Sequence, residues 1–313
     1  MIYIEEFKEG DVISGIYLCK SKQTSVTKTG KEYENVVLMD KTGSIDSKIW
    51  EPNSPGIRNF EANDFVVVKG QVTSYNRALQ FKIDSARKAE PGEYDDADYM
   101  PVSRFDAEKL LKELFALIDS VKNKYINRLL NMIFKEDPDF TERFRTATAA
   151  KSVHHGFVSG LIEHTVSVAK LCVKICENYD YVNYDLLVSG ALLHDIGKTR
   201  EISAFPQNDY TDEGNMIGHL VIGYGMVREK IALIEGFPKS LANQIEHLIL
   251  SHHGELEYGS PKKPATIEAL ALAAADNLDA HLETMRELMD VKNPNTWLGF
   301  NKWLDTNIRR TEI

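Results

Sequence analysis

The apolar residues of this 313-residue chain change their period once, and the change falls on an acidic stretch ending in proline. Up to residue 88, short β-branched and aromatic runs are cut by turn signals. From Ser103 onward, apolar positions recur every third or fourth residue, as in Leu110, Leu111, Leu114, Leu117, Ile118 and Val121. A period of two suits strands and one of 3.6 suits helices, so the chain divides into an all-β part and an all-α part. The stretch between them holds Glu90, Glu93, Asp95, Asp96 and Asp98 with Pro91, Gly92 and Pro101. It reads as a linker. The expected organisation is a barrel over 1–88, a linker over 89–102 and a helical domain over 103–313.

Five strands are expected in the first part, at Asp11–Lys20, Tyr33–Met39, Ser44–Trp50, Phe65–Val72 and Ala78–Ile83. Lys28-Thr29-Gly30-Lys31, Asp40-Lys41-Thr42-Gly43 and Tyr75-Asn76-Arg77 mark turns between them. In the last strand Leu79, Phe81 and Ile83 are expected inside. Pro52–Asn63 interrupts the series as a helix or long loop. Five strands with that interruption suggest an OB-type barrel, with an SH3-like barrel as the competitor. Trp50, Tyr75 and Phe81 are candidate stacking platforms, and Lys48, Lys69, Arg77 and Lys82 candidate phosphate contacts. Phe81 belongs with the core. Trp50 and Lys48 share the strand face opposite Ile45 and Ile49, which makes them the stronger substrate-binding candidates.

In the second part, helices are expected near 122–135, 158–178, 185–196, 218–234, 239–251, 265–290 and 296–309, with no strands. The last of these reads as a packing helix carrying Trp297, Phe300, Leu304 and Ile308, or as an oligomer contact. The nine histidines are placed informatively. His164 lies on an apolar helix face with Leu161, Val168 and Leu171. His194-Asp195 ends a helix, with Gly197 as its stop. His219 opens another helix, and His252-His253 ends one before Gly254. Asp276 sits in the apolar run Ala269–Leu278, and a buried carboxylate needs a partner or a metal. Imidazoles and carboxylates converging from separate helices build metal sites in all-α folds. One ion would take His164, His194, Asp195 and Asp276. A second would take His219, His252 and His253, sharing Asp195. The plainer alternative is one metal, with the latter three as substrate contacts. His154 and His155 are placed to contact a scissile phosphate or protonate a leaving group. His247 and His281 read as structural, and Cys172 and Cys176 as packing residues.

His164…His194-Asp195…Asp276 resembles the H…HD…D signature of the HD-domain metal-dependent phosphohydrolases. Leu192-Leu193-His194-Asp195-Ile196-Gly197-Lys198 matches that family's central motif, and His219, His252 and His253 match the extra ligands of its dinuclear branch. A barrel joined to such a domain, with Gly160-Leu161-Ile162-Glu163-His164-Thr165, is similar to the YhaM-type 3'-to-5' exoribonucleases of Gram-positive bacteria. The resemblance implies hydrolysis of single-stranded RNA, and of DNA as a further substrate, from the 3' end to nucleoside 5'-monophosphates. It also implies Mn2+ or a similar divalent ion, and Lys198 as the residue that neutralises a phosphate oxygen. Co, Fe, Ni and Zn suit the same donors. The rivals are an HD phosphohydrolase of a nucleotide or cyclic dinucleotide, a nucleic-acid-binding protein with an inactive HD site, and a barrel used for protein contacts.

Charge and cysteine content bound these readings. The net charge of −10 falls wholly after residue 90, while residues 10–88 carry +3. A weakly basic barrel thus joins an acidic domain, where bound cations would invert the local field. Three cysteines without a CxxC pair, no signal peptide and no membrane-length apolar run point to a cytoplasmic protein. Homo-oligomer formation stays open.

Overall fold

The structure is a computed structural model that describes residues 1–27, 29–75, 78–95, 98–99, 103, 105–150, 157–290, 296–302 and 304–311. The chain forms two compact units, Met1–Val102 and Ser103–Ile313.

The first unit is a closed five-stranded barrel: β1 (Val12–Val26), β2 (Glu32–Asp40), β3 (Gly43–Ile49), β4 (Phe65–Tyr75) and β5 (Ala78–Lys88). Its strand order is β1-β2-β3-β5-β4, closed by antiparallel β1–β4 pairing and a short parallel β3–β5 contact. That is the OB arrangement. Alternate residues Val36, Leu38, Ile45, Ile49, Val66, Val68, Phe81 and Ile83 fill the interior. Gly70 sits at a bulge in β4, where any Cβ would lie 2.0 Å from the Lys82 carbonyl oxygen. Leu79 departs from expectation and is 41% exposed. It lies opposite Ser74, near the tip of the β4–β5 hairpin, so its inward parity meets no core. The segment 52–63 is turns and loop rather than helix, with Phe60 buried as its anchor. The acidic stretch read as a linker packs on the barrel: Tyr94 stacks on Phe65 at 3.8 Å, and Tyr99 meets the same ring edge-on at 4.8 Å.

The second unit is helical: α1 (Ala107–Ser120), α2 (Lys124–Phe134), α3 (Pro138–Thr146), α4 (Gly160–Asn178), α5 (Tyr184–Leu193), α6 (Lys198–Glu201), α7 (Asp212–Ile217), α8 (His219–Ala232), α9 (Lys239–Ser251) and α10 (Ile267–Asp290). Side-chain caps start several of them. Asp106, Asn123, Asp137 and Asn183 each accept from a backbone N–H of the first turn. Helix α5 is buried from Leu186 to Leu193 on every side. A helix apolar all round belongs in the middle, and α5 packs against α1, α2, α4, α9 and α10. No helix among the described residues is long and apolar enough to cross a membrane.

Two expectations are corrected here. The C-terminal stretch is not a helix but a hairpin of β6 (Trp297–Asn301) and β7 (Thr306–Arg309), so the unit is not wholly α. Gly299 at φ +97° breaks the helical period, and of the supposed apolar stripe only Ile308 is buried. Gly197 is not a left-handed helix stop either, since its φ is −62°. Its role is close approach: a Cβ there would lie 2.1 Å from the His219 carbonyl oxygen and 2.7 Å from the Gly223 nitrogen. Gly197→Ala should therefore push α8 away and cost about 1–3 kcal/mol, read as a lowered denaturation midpoint.

Candidate metal centre

Five helical elements deliver seven donors to one point. His164 projects from α4 and Asp276 from α10, while His194 and Asp195 follow the last turn of α5. His219 is the first residue of α8, and His252 and His253 follow α9. Two helix C-termini thus end at the site, and their partial negative charge favours a cation.

The rings share one orientation. Each of the five imidazoles places Nδ1 on an oxygen away from the centre: His164 on Asp279 at 2.8 Å, His194 on the Ala191 carbonyl at 2.8 Å, His219 on Glu201 at 2.9 Å, His252 on the Ile249 carbonyl at 2.8 Å and His253 on the Tyr258 carbonyl at 2.7 Å. These oxygens only accept, so Nδ1 donates and the Nε2 atoms face inward. Such outer acceptors accompany metal-ligating histidine.

Inside, the donors form two groups around Asp195. Its Oδ2 lies 3.5 Å from His164 Nε2 and 3.3 Å from His194 Nε2, and His164 Nε2 lies 3.1 Å from Asp276 Oδ1. Its Oδ1 lies 3.6 Å from His219 Nε2 and 3.5 Å from His252 Nε2, and His219 and His253 approach at 3.2 Å. One carboxylate therefore faces both groups, an oxygen to each. The sets His164/His194/Asp276, His194/Asp195/His252 and His219/His252/His253 each converge closely enough to hold an ion. Lys198 Nζ donates to Asp195 Oδ2 at 2.7 Å.

Electrostatics make the cluster ready for a cation. Asp195 is 2% exposed. Burial opposes its charge, yet Lys198 and His194 hold its pKa well below the carboxylate range. Burial lowers the His252 pKa, and burial with the neighbouring His252 lowers that of His253, so both rings are neutral at pH 7. Burial also opposes a charge on His164, but Asp276 and Asp279 outweigh it and raise its pKa to about 10. Those carboxylates keep a proton on His164 Nε2, 3.1 Å from Asp276 Oδ1, and a divalent cation would have to displace it to bind there. Asp195 Oδ1 and His252 Nε2 are buried without a hydrogen-bond partner, a cost of about 1–3 kcal/mol for such a group. A divalent ion satisfies both, so the donor set fits one.

All seven residues expected as ligands come together here, with Lys198 beside them. His154 and His155 lie outside the described residues, as do Asn76 and Arg77 of the barrel. His247 accepts from the Ala265 N–H, a structural contact, and Cys172 is buried in the core. Asp279 and Glu201 escaped the sequence reading, although Asp279 is one helical turn beyond Asp276. In the barrel, Lys48 and Trp50 share a face with two residues not singled out from sequence. Tyr33 stacks on Trp50 at 5.1 Å and 27°, and Asn35 accepts from Lys48. Lys48 Nζ also lies 5.1 Å from the Tyr33 ring centre, and Trp50 is 42% exposed.

Residues 161–281 match the family model described as HD domain. The chain is 31% identical over 292 residues to the 3'-5' exoribonuclease YhaM of Geobacillus sp. (strain WCH70), covering 93% of this chain and 89% of that one. It is 33% identical over 294 residues to the protein of the same name from Bacillus pumilus (strain SAFR-032), covering 93% and 92%. Among solved structures, the second OB-fold domain of replication protein A from Methanococcus maripaludis matches 29% of this chain and 96% of its own, at 21% identity and a TM-score of 0.22.

The orphaned atoms give a direct test. Adding Mn2+ to EDTA-treated protein should raise its melting temperature, with a gain near 2.7 kcal/mol at a hundredfold excess over Kd, measured by calorimetry.

Proposed function

This chain belongs to the YhaM family and is a metal-dependent 3'-5' exoribonuclease; we propose that it works with two divalent cations on single-stranded RNA and releases nucleoside 5'-monophosphates. The observation that carries the two-cation reading is the division of Asp195, whose oxygens face separate sets of imidazoles. His164, His194 and Asp276 would hold one ion, His219, His252 and His253 the other, and Asp195 would be shared. Mixed imidazole and carboxylate donors suit Mn2+. Divalent cations held there would supply a nucleophile near neutral pH and neutralise charge on the substrate phosphate.

The chain's own residues do the rest. The inward Nε2 atoms and the two carboxylates fix where the phosphodiester must sit. Lys198, held against Asp195, keeps a positive charge at that point: burial works against its charge, but Asp195 outweighs the penalty and raises its pKa. The ammonium would donate to a nonbridging phosphate oxygen while still orienting Asp195. Water attacks phosphorus, the P–O3' bond breaks, and the departing 3'-oxygen takes up a proton. A single-stranded end fits this buried centre because its bases are free to leave the stack.

On the barrel, the Tyr33–Trp50 pair with Lys48 offers a ring face and a charge on one exposed surface, which suits a base and its phosphate. DNA shares both features, so it is a second substrate in this reading.

A time course on 5'-labelled single-stranded RNA with Mn2+ and an EDTA control tests the activity. The expected result is a metal-dependent ladder that shortens progressively. Intact RNA with hydrolysis of a free nucleotide would overturn the RNA reading. Asp195→Ala should remove activity at least a hundredfold while RNA binding persists, and full activity in that variant would sink the bridging assignment. Trp50→Ala should weaken binding of a long RNA by about 1–3 kcal/mol, with dinucleotide hydrolysis unchanged. Equal affinity in the folded variant would return the aromatic pair to a purely structural role.

A further inference from the structure

Two carboxylates outside the donor set hold site imidazoles from behind. Asp279 on α10 accepts from His164 Nδ1 at 2.8 Å through one oxygen, and its other oxygen accepts from Ser167 Oγ on α4. Glu201, at the end of α6, accepts through one oxygen from both Nδ1 and the backbone N–H of His219, each at 2.9 Å. Both carboxylates are 8% exposed.

Helix position explains why these two rings need them. His194 and His252 directly follow helices, and each turns Nδ1 onto the carbonyl three residues back. Carbonyls in a last helical turn lack their full set of partners, so that acceptor comes with the backbone. His253 likewise uses a backbone carbonyl, from the loop after it. His164 lies inside α4, where carbonyls are committed to the helix. His219 begins α8, where the backbone offers N–H groups rather than carbonyls. Neither ring has a local acceptor, and each receives a carboxylate from another element. The two rings also belong to different donor groups, one on each side of Asp195.

We propose that Asp279 and Glu201 are positioning residues, one for each cation site, and that each governs the affinity of its own site and not of the other. This rests on the two-cation reading above. A ring whose Nδ1 is pinned presents Nε2 in one direction, and a freed ring must be ordered again when the ion binds. Loss of such an outer acceptor lowers metal affinity by about 10–100-fold.

The test is calorimetric titration of the EDTA-stripped full chain with Mn2+. The wild type should take up two equivalents. Asp279→Ala should weaken one binding step about 10–100-fold, and Glu201→Ala the other. Asp279→Asn and Glu201→Gln should recover part of each loss, because an amide oxygen still accepts from Nδ1. In an H164A background, Asp279→Ala should change the remaining step no further, since the ring it serves is gone. Weakening of both steps alike by either variant would overturn the proposal, as would a further loss in the H164A background. Uptake of one equivalent by the wild type would overturn the two-cation reading alone. The His164–Asp279 cycle would then decide the positioning role of Asp279 on that single step.

Discussion

Everything in the helical unit depends on keeping the Asp195 carboxylate charged at 2% exposure. An isolated buried carboxylate is costly and would take up a proton. Here Lys198 approaches one oxygen at 2.7 Å, while four imidazole nitrogens surround the pair of oxygens within 3.6 Å. Lys198 alone leaves Oδ1 without a donor. The deficit is on the side facing His219 and His252, and a cation there removes it. The requirement that a buried charge be compensated thus links the apolar packing of α5 to the chemistry at its end.

Packing sets where that charge sits. Helix α5 is apolar on all sides, so it occupies the middle of the unit, and the residues after its last turn emerge at the centre rather than at the surface. The backbone then passes through Gly197 into α6, and the start of α8 lies too close to that residue for any side chain. That contact brings His219 to the oxygen of Asp195 that the α4 and α5 histidines do not reach. A glycine imposed by close approach and a histidine at the first position of α8 are two consequences of one packing constraint.

Sequence reveals this centre well because its donors are themselves rare in apolar helices. His164, Asp276 and the His194-Asp195 pair stand out against their neighbours, and the strand pattern of the barrel follows its burial at Phe81 and Ile83. Periodicity fails where spacing carries two meanings. Trp297, Phe300, Leu304 and Ile308 fit a helical stripe, but they lie in a hairpin bent at Gly299. Leu79 keeps the parity of Phe81 and still faces solvent, since parity reports a side of the strand and not how far the core extends. The acidic segment after β5 looked like a tether by charge, yet Tyr94 and Tyr99 anchor it on Phe65. Asp279 and Glu201 were invisible for another reason: an outer carboxylate is recognised only by the ring it touches, and that partner is 115 residues away for Asp279.

The outer acceptors also explain how a centre built from separate helices can be ordered before any cation arrives. If the rings were free, each would have to be fixed on binding, at an entropic cost for every side chain. Three of the five are fixed by carbonyls, and those bonds form with the helices or the adjoining loop themselves. The remaining two depend on contacts between elements, α10 to α4 and α6 to α8. The α4–α10 contact is doubled through Ser167 and the α6–α8 contact through the His219 backbone N–H. Folding of the bundle and preparation of the site are therefore one event. The bonds that aim the rings are the same bonds that join the helices.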